Sequence, residues 1–161
     1  MAAQIKHLVV LIMENRSLDH MLGFMKSNDY VIESLNGTEE NRDSTGEPVR
    51  VNNQARYSGD LGIDPRHDFT DVMEQMFGTY PPPAGQQANM SGFVRNYERY
   101  TGGPSGASSV MNCFAPNNLR ILTTLARTYA VCDHWFCSVP GPTLAKYPRM
   151  QAVSLVIECA P

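Results

Sequence analysis

The sequence contains no run of lysine or arginine and no long apolar segment. Its formal net charge is −3 over 161 residues, so it lacks the basic surface with which proteins bind phosphate backbones. Nowhere does it approach the roughly 20 consecutive apolar residues that a membrane-spanning helix needs. These absences argue against nucleic acid as a partner and against a transmembrane segment. They leave the oligomeric state open.

Cysteine is also sparse. The four cysteines (Cys113, Cys132, Cys137 and Cys159) form neither a C-x-x-C pair nor the dense framework of a small secreted domain. We therefore interpret them as small buried hydrophobic residues and leave the disulfide state open. The segment from Cys132 through His134 to Cys137 suggests zinc as a minor alternative. On a strand, however, Cys137 would face away from the other two, and no convincing fourth ligand is present.

The first apolar segment is short, and Glu14 and Arg16 follow it instead of the small residues of a cleavage site. It is typical of a β-strand and not of a signal peptide, so the chain as written is expected in the cytoplasm. Residues 5–13 are almost continuously apolar, which predicts a buried, central parallel strand covered on both faces. Helical spacing of Leu18, Met21 and Leu22 then predicts a short helix that ends near Gly23.

The rest of the chain alternates loops, helices and strands. Residues 27–66 are polar and aperiodic, which predicts long loops with short strands near residues 48–51. Helices are predicted over residues 68–77 and 116–129, and a strand over residues 129–138 that enters the turn before Thr143. The apolar faces of the helices are predicted from two sets of residues: Phe69, Val72, Met73 and Met76, and Leu119, Leu122, Leu125, Ala126 and Tyr129. This order predicts an α/β fold with a mostly parallel sheet flanked by helices.

Polar residues follow both predicted sheet strands, at the strand ends where α/β proteins bind ligands. At the first end, Glu14 and Asn15 offer oxygen donors of the kind that Mg²⁺, Mn²⁺ or Ca²⁺ prefers and that iron or zinc tolerates. The alternative is structural: Asn15 or Ser17 caps the following helix, and Arg16 pairs with a nearby carboxylate.

Thr143 lies at the second strand end, after a rigid Pro140-Gly141-Pro142 turn. A hydroxyl held in such a turn can attack phosphorus if a divalent cation stabilises its alkoxide, because a bound cation lowers the pKa of a coordinated oxygen. An ordinary turn threonine is the structural alternative.

His67 is the strongest histidine candidate. Asp64 and Asp68 flank it in a loop, where it could donate a proton to a phosphoryl oxygen or to a leaving group. The alternative is a solvated loop histidine beside acidic residues.

Four segments together resemble the phosphoesterase family that includes bacterial and fungal phosphatidylcholine-cleaving phospholipase C and a related acid phosphatase. They are I-K-H-L-V-V-L-I-M-E-N-R-S-L-D-H-M-L-G at 5–23, D-P-R-H-D at 64–68, M-S-G-F-V at 90–94 and L-A-R-T-Y-A-V-C-D-H-W-F-C-S-V-P-G-P-T at 125–143. Their shared order makes the resemblance specific, although each segment alone would not.

The resemblance implies an alkaline phosphatase-like fold and hydrolysis of phosphate esters through a metal-held hydroxyl and a covalent phospho-enzyme. It implies Glu14, Asn15 and Thr143 as metal ligands, Thr143 as nucleophile, and His67 as the residue that supports the phosphoryl group. The metal is a divalent ion of unspecified identity. The implied substrate is a phospholipid or a small phosphate ester, and family members are often secreted.

The sequence departs from the family after Thr143. The family continues this turn as G-P-T-x-P-N-R, whereas here it continues as G-P-T-L-A-K-Y-P-R-M. We therefore expect an incomplete fold, with residues 1–144 as the N-terminal part of a phosphoesterase domain and residues 145–161 as a divergent tail. The family's later metal-binding aspartates have no counterpart, so activity is expected to be impaired by truncation. The alternative function is a catalytically inactive fragment or an interaction module.

Overall fold

A computed structural model describes residues 7–14, 16–26, 32–58, 62–136, 139–142 and 152–159, of which residue 14 and residues 152–159 are described only as strand. The chain divides into two units. The first contains residues 1–35, 113–137 and 150–161, and the second contains residues 36–112 and 138–149.

The described residues of the first unit form a three-stranded sheet. Strand β1 is His7–Glu14, β4 is Ala130–Cys132 and β5 is Ala152–Cys159, in the order β1-β5-β4. Strand β5 pairs antiparallel with both neighbours, and Val156 of β5 lies opposite both Val10 of β1 and Ala130 of β4. Strands β1 and β4 therefore run in the same direction on either side of β5.

The predicted mixture of helices and strands is confirmed, but the mostly parallel sheet is not. The strand pairs within the described residues are antiparallel, including the two-stranded sheet of the second unit. Apolar patterning predicts where a strand lies and does not specify the direction of its neighbour, which depends on the connection between them. The alkaline phosphatase-like topology consequently rests on the sequence resemblance alone.

Strand β1 is less buried than predicted. Leu8 is 61% exposed, Val9 49% and Val10 37%, while Leu11 to Met13 are half-buried. The strand itself is confirmed, and full coverage of its first half is wrong. An apolar run predicts a strand reliably, but its coverage depends on which residues pack against it.

In the described part of the first unit, two helices accompany this sheet. Helix α1 is Leu18–Leu22, and the Ser17 side chain caps it by accepting a hydrogen bond from the His20 amide at 3.1 Å. Met21 and Leu22 are buried, as their spacing predicted. The structural alternative named Asn15 or Ser17 as the cap of this helix, and the structure shows Ser17 in that role.

The second helix is preceded by a 3₁₀ turn. Residues Pro116–Leu119 form that turn, and helix α5 follows over Arg120–Thr128. Within the predicted apolar stripe Leu119, Leu122 and Ala126 are buried and Leu125 is half-buried, whereas Tyr129 lies beyond the helix and is 37% exposed. The predicted strand at residues 129–138 is shorter than expected, because Asp133 and His134 already form a turn.

The described part of the second unit contains a small hairpin and three helices. The elements are β2 (Glu40–Arg42), β3 (Pro48–Arg50), α2 (Phe69–Phe77), α3 (Phe93–Thr101) and α4 (Pro104–Ala107), the last followed by a 3₁₀ turn at Ser108–Met111. Asp43 closes the hairpin by accepting hydrogen bonds from Thr45 and from the Glu47 amide. One cluster of buried apolar side chains in this unit consists of Val94, Tyr97 and Ala107.

Gly92 lets α3 begin directly against the end of α2. A methyl group built on its Cα would lie 2.0 Å from the carbonyl oxygen of Glu74 and 3.1 Å from the Cα of Gln75. The Gly92 amide donates to the Gln75 carbonyl at 3.0 Å. The glycine in the M-S-G-F-V segment is thus explained by close backbone packing between two helices.

Replacing Gly92 with alanine should destabilise the second unit, because its new methyl group overlaps a backbone oxygen that cannot rotate away. We expect Gly92→Ala to lower the free energy of unfolding by about 3 kcal/mol, the upper part of the usual range for overpacking. Urea unfolding followed by circular dichroism measures the change.

Gly62→Ala is the matched control, since a methyl group there meets no atom within 4 Å. It should change the free energy by no more than about 1 kcal/mol and in the stabilising direction. Equal unfolding midpoints for Gly92→Ala and Gly62→Ala would contradict the packing role of Gly92.

Candidate active site

The turn at residues 139–142 packs against the start of α2. Gly141 is buried, and a methyl group built on its Cα would lie 3.9 Å from both the backbone nitrogen and the Cα of Phe69. Phe69 is the first residue of α2, and His67 precedes it by two positions. The structure therefore brings together the turn that immediately precedes Thr143 and the loop that contains His67.

His67 lies on the surface of the second unit. Its side chain is exposed, as are those of its neighbours Arg66 and Asp68. Asp68 is the N-cap residue of α2, but its side chain makes no capping hydrogen bond. The imidazole of His67 is therefore accessible from solvent.

Hydrogen bonds from α2 and α3 hold the backbone of the loop at residues 62–68. The buried Tyr97 hydroxyl donates to the carbonyl oxygen of Ile63, and the Gln75 side-chain amide donates to that of Arg66 at 2.8 Å. These contacts restrain the chain on the N-terminal side of His67, although the side chains of the loop bury little apolar surface.

A buried polar network joins α2 and α3 behind this loop. Asn96 is 1% exposed, and its Nδ2 donates to Asp71 at 2.9 Å and to Glu74 at 2.7 Å. Arg99 forms ion pairs with the same two carboxylates. Asp71, which is 7% exposed, is thereby compensated by an amide and a guanidinium, as a buried carboxylate must be.

This network is the part of the site that sequence reasoning missed. The face of α2 predicted to be apolar is only half-buried, and Phe69 is 44% exposed; its one fully buried residue is Asp71. A signal was present in the spacing: Asp71 and Gln75 stand four positions apart, as do Asn96 and Tyr100, which is the separation of neighbours on one helix face. Hydrophobic periodicity does not detect such a face.

Tyr100 connects the network to Arg66. Its hydroxyl donates to Asp71 at 2.9 Å, and the Arg66 guanidinium carbon lies 4.8 Å from the centre of its ring. The hydrogen bond to Asp71 is the main cause that raises the pKa of Tyr100 above its ordinary value of 10.0, and partial burial and the charge of Asp71 add to it. The positive charges of Arg99 and Arg66 act in the opposite direction.

The remaining candidate residues are placed only in part. Glu14 ends β1 in the first unit. Asn15 and Thr143 lie outside the described residues, so their roles remain predictions. Ser17 caps α1, so the capping interpretation does not require Asn15.

The zinc alternative gains no support. Within the ranges that the structure describes, no group of three or more His, Cys, Asp or Glu side chains is arranged to hold a metal ion. His134 lies 3.3 Å from a Glu33 oxygen and 3.2 Å from an Asp133 oxygen. The Glu33 amide donates to Asp133, and this bond, followed by the one from His134, lowers the pKa of Asp133. Cys132 is a free thiol, and Cys137 lies outside the described residues.

Taken together, the described strands and helices of this chain define a mixed α/β protein. The sequence model of the phosphoesterase family matches residues 5–152. The chain belongs to the phosphoesterase family.

Curated relatives from Arabidopsis thaliana support this assignment. The chain is 39% identical to non-specific phospholipase C4 over 150 residues, which are 86% of this chain and 27% of that protein. It is 37% identical to non-specific phospholipase C5 over 150 residues, with 86% and 28% covered, and 38% identical to non-specific phospholipase C3 over 156 residues, with 88% and 28% covered. The chain thus spans a little over a quarter of the length of these relatives. No helix within the described residues is long and apolar enough to cross a membrane.

The raised pKa of Tyr100 predicts a loss of stability at alkaline pH. The folded state favours the neutral phenol, so its stabilisation is complete below about pH 10 and disappears as the pH rises through the higher folded-state pKa. Phenylalanine cannot ionise, so Tyr100→Phe should remove this part of the pH dependence of stability. Urea unfolding midpoints of parent and variant, compared between about pH 8 and pH 11, test it.

Ultraviolet titration of tyrosinate provides an independent check. The titration curve of the parent minus that of Tyr100→Phe should show one tyrosine that ionises above pH 10. A difference curve centred at or below about pH 10 would show that Asp71 does not hold the phenol in its neutral form.

Proposed function

We propose that this chain is the N-terminal part of a hydrolase that cleaves phosphate ester bonds, of the phospholipase C and acid phosphatase type. The observation that supports it best is the contact between the turn before Thr143 and the start of α2, next to His67. Membership in the phosphoesterase family and the names of the relatives support the same reaction class.

Thr143 acts as the nucleophile in this proposal. Its Oγ attacks phosphorus, a new Oγ–P bond forms, and the ester P–O bond breaks as the leaving alcohol takes up a proton. Water then cleaves the Oγ–P bond, which releases the phosphate group and restores the hydroxyl. The Pro140-Gly141-Pro142 turn limits the conformations of the backbone before Thr143, which reduces the cost of aligning its oxygen.

His67 supports the phosphoryl group from the neighbouring loop. An exposed imidazole can donate a hydrogen bond to a phosphoryl oxygen as negative charge develops there, or give its proton to the leaving oxygen. Both roles require that the imidazole be protonated on the nitrogen that faces the phosphate.

A divalent cation fits the chemistry of the predicted donors. A carboxylate from Glu14, an amide oxygen from Asn15 and the Thr143 hydroxyl are all hard oxygen ligands, which suit Mg²⁺, Mn²⁺ or Ca²⁺. When bound, such a cation lowers the pKa of a coordinated hydroxyl and offsets charge on phosphoryl oxygens.

The same proposal extends to the fold and to the substrate. The mostly parallel, alkaline phosphatase-like sheet is part of this proposal through the sequence resemblance alone, since the described strand pairs are antiparallel. The relatives are named phospholipases C, which favours a phospholipid headgroup ester over a small phosphomonoester as substrate.

Activity assays on the purified chain test the proposal. Release of p-nitrophenol from p-nitrophenyl phosphorylcholine and from p-nitrophenyl phosphate should be measured with and without added divalent metal. Thr143→Ala should lower kcat at least 100-fold, because it removes the nucleophile. Thr124→Ala, on the exposed face of α5, is the matched threonine control and should retain the parent activity.

The alternative is an inactive fragment or an interaction module. A chain that unfolds cooperatively in urea but hydrolyses neither substrate with any added metal would support that alternative and refute the hydrolase. Equal activity of Thr143→Ala and parent would refute Thr143 as the nucleophile.

Metal affinity tests the role of Glu14 separately. Glu14→Gln keeps the size of the side chain and removes its charge, so calorimetric titration with Mn²⁺ or Mg²⁺ should show at least a tenfold weaker Kd. Glu47→Gln removes one exposed carboxylate from the second unit and should leave the Kd unchanged. If both variants bind the ion as the parent does, Glu14 is not a ligand.

A further inference from the structure

The backbone of the His67 loop is held by side chains that lie outside the proposed catalytic set. Gln75 uses one Nε2 hydrogen for the carbonyl oxygen of Arg66, at 2.8 Å, and the other for Oδ1 of Asn96, at 3.1 Å. The carbonyl of Arg66 belongs to the peptide that joins it to His67. A restraint on this oxygen therefore fixes the peptide plane from which His67 begins.

The orientation of Asn96 follows from the two carboxylates beside it. A carboxylate only accepts hydrogen bonds, so the Asn96 Nδ2 must face Asp71 and Glu74, at 2.9 Å and 2.7 Å. Its Oδ1 is then directed toward Gln75 and accepts a hydrogen bond from it. Because Asn96 is 1% exposed, water does not replace these partners at low cost.

These contacts form a directed chain. The carboxylates orient Asn96, Asn96 orients Gln75, and Gln75 holds the Arg66 carbonyl next to His67. Asp71 and Asn96 are buried and Glu74 is half-buried in the contact between α2 and α3, whereas Arg66 lies in an exposed loop. Such a chain transmits the rigidity of a helix pair to a surface histidine.

We infer that Gln75 and Asn96 are positioning residues for His67 in the proposed phosphoesterase reaction. This inference rests on the proposed function in that it assigns His67 a role in catalysis. Neither residue is required to contact the substrate. Their contribution is to keep the imidazole in the geometry that the phosphoryl group needs, where a displacement of about 1 Å can cost a factor of 100 in rate.

Gln75→Met tests the inference, because methionine keeps the length of the side chain and removes both donors. We expect kcat for p-nitrophenyl phosphate to fall roughly 10- to 100-fold while KM changes less than about threefold. Gln86→Met is the matched control. Gln86 also donates from Nε2 to a backbone carbonyl at 2.8 Å, but to Phe77 at the other end of α2. The Gln86→Met variant should keep kcat within about twofold of the parent value.

A double-mutant cycle separates positioning from general destabilisation. In a His67→Ala background, Gln75→Met should cause no further loss of kcat, because the group it positions is gone. An equal loss in both backgrounds would overturn the inference, since the effect of Gln75 would not pass through His67.

A measurement without turnover distinguishes this inference from the proposed function. Backbone ¹⁵N relaxation should show ordered amides at residues 66–68 in the parent and in the Gln86→Met control. The order parameters of these amides should fall below about 0.6 in Gln75→Met and in Asn96→Ala. If the parent is inactive but these amides lose order as expected, the loop restraint holds and the hydrolase proposal fails. If the amides stay ordered in Gln75→Met, the positioning role is refuted whatever the activity.

Discussion

The contact between α2 and α3 depends on one buried amide, that of Asn96. Its Nδ2 lies between the carboxylates of Asp71 and Glu74, and its Oδ1 accepts from Gln75. Two carboxylates on one helix would repel each other without such a donor and without Arg99, which pairs with both. The same pair of helices also holds the loop before α2, places the hydroxyl of Tyr100 against Asp71, and brings Gly92 close to the backbone of Glu74.

Sequence patterns predicted several elements of this fold and left others undetermined. The strand at β1, the cap at Ser17 and the helix after Pro116 were predictable because apolar spacing and capping residues act locally. The direction of β5 between β1 and β4 was not, since pairing depends on contacts distant in sequence. The exposure of Leu8 could not be predicted either, because an apolar run does not indicate which residues pack against it.

For the candidate site, the sequence predicts only residues whose chemistry is distinctive. Glu14, Asn15, Thr143 and His67 are predicted because carboxylate, amide, hydroxyl and imidazole groups have recognisable roles at strand ends and in loops, and their roles stay predictions. Gln75 and Asn96 were missed because a neutral amide inside a helix has no such signature. Their importance comes from partners on another helix, which only three-dimensional structure reveals.

The partial exposure of β1 has a consequence for the behaviour of the chain at high concentration. Within the described sheet, β1 is an outer strand, and Leu8, Val9 and Val10 offer apolar side chains to solvent. Natural outer strands avoid association through charged residues placed along them, whereas no charged side chain interrupts this segment before Glu14. Within the described residues, strand β1 therefore has the composition of an outer strand that is prone to edge-to-edge pairing.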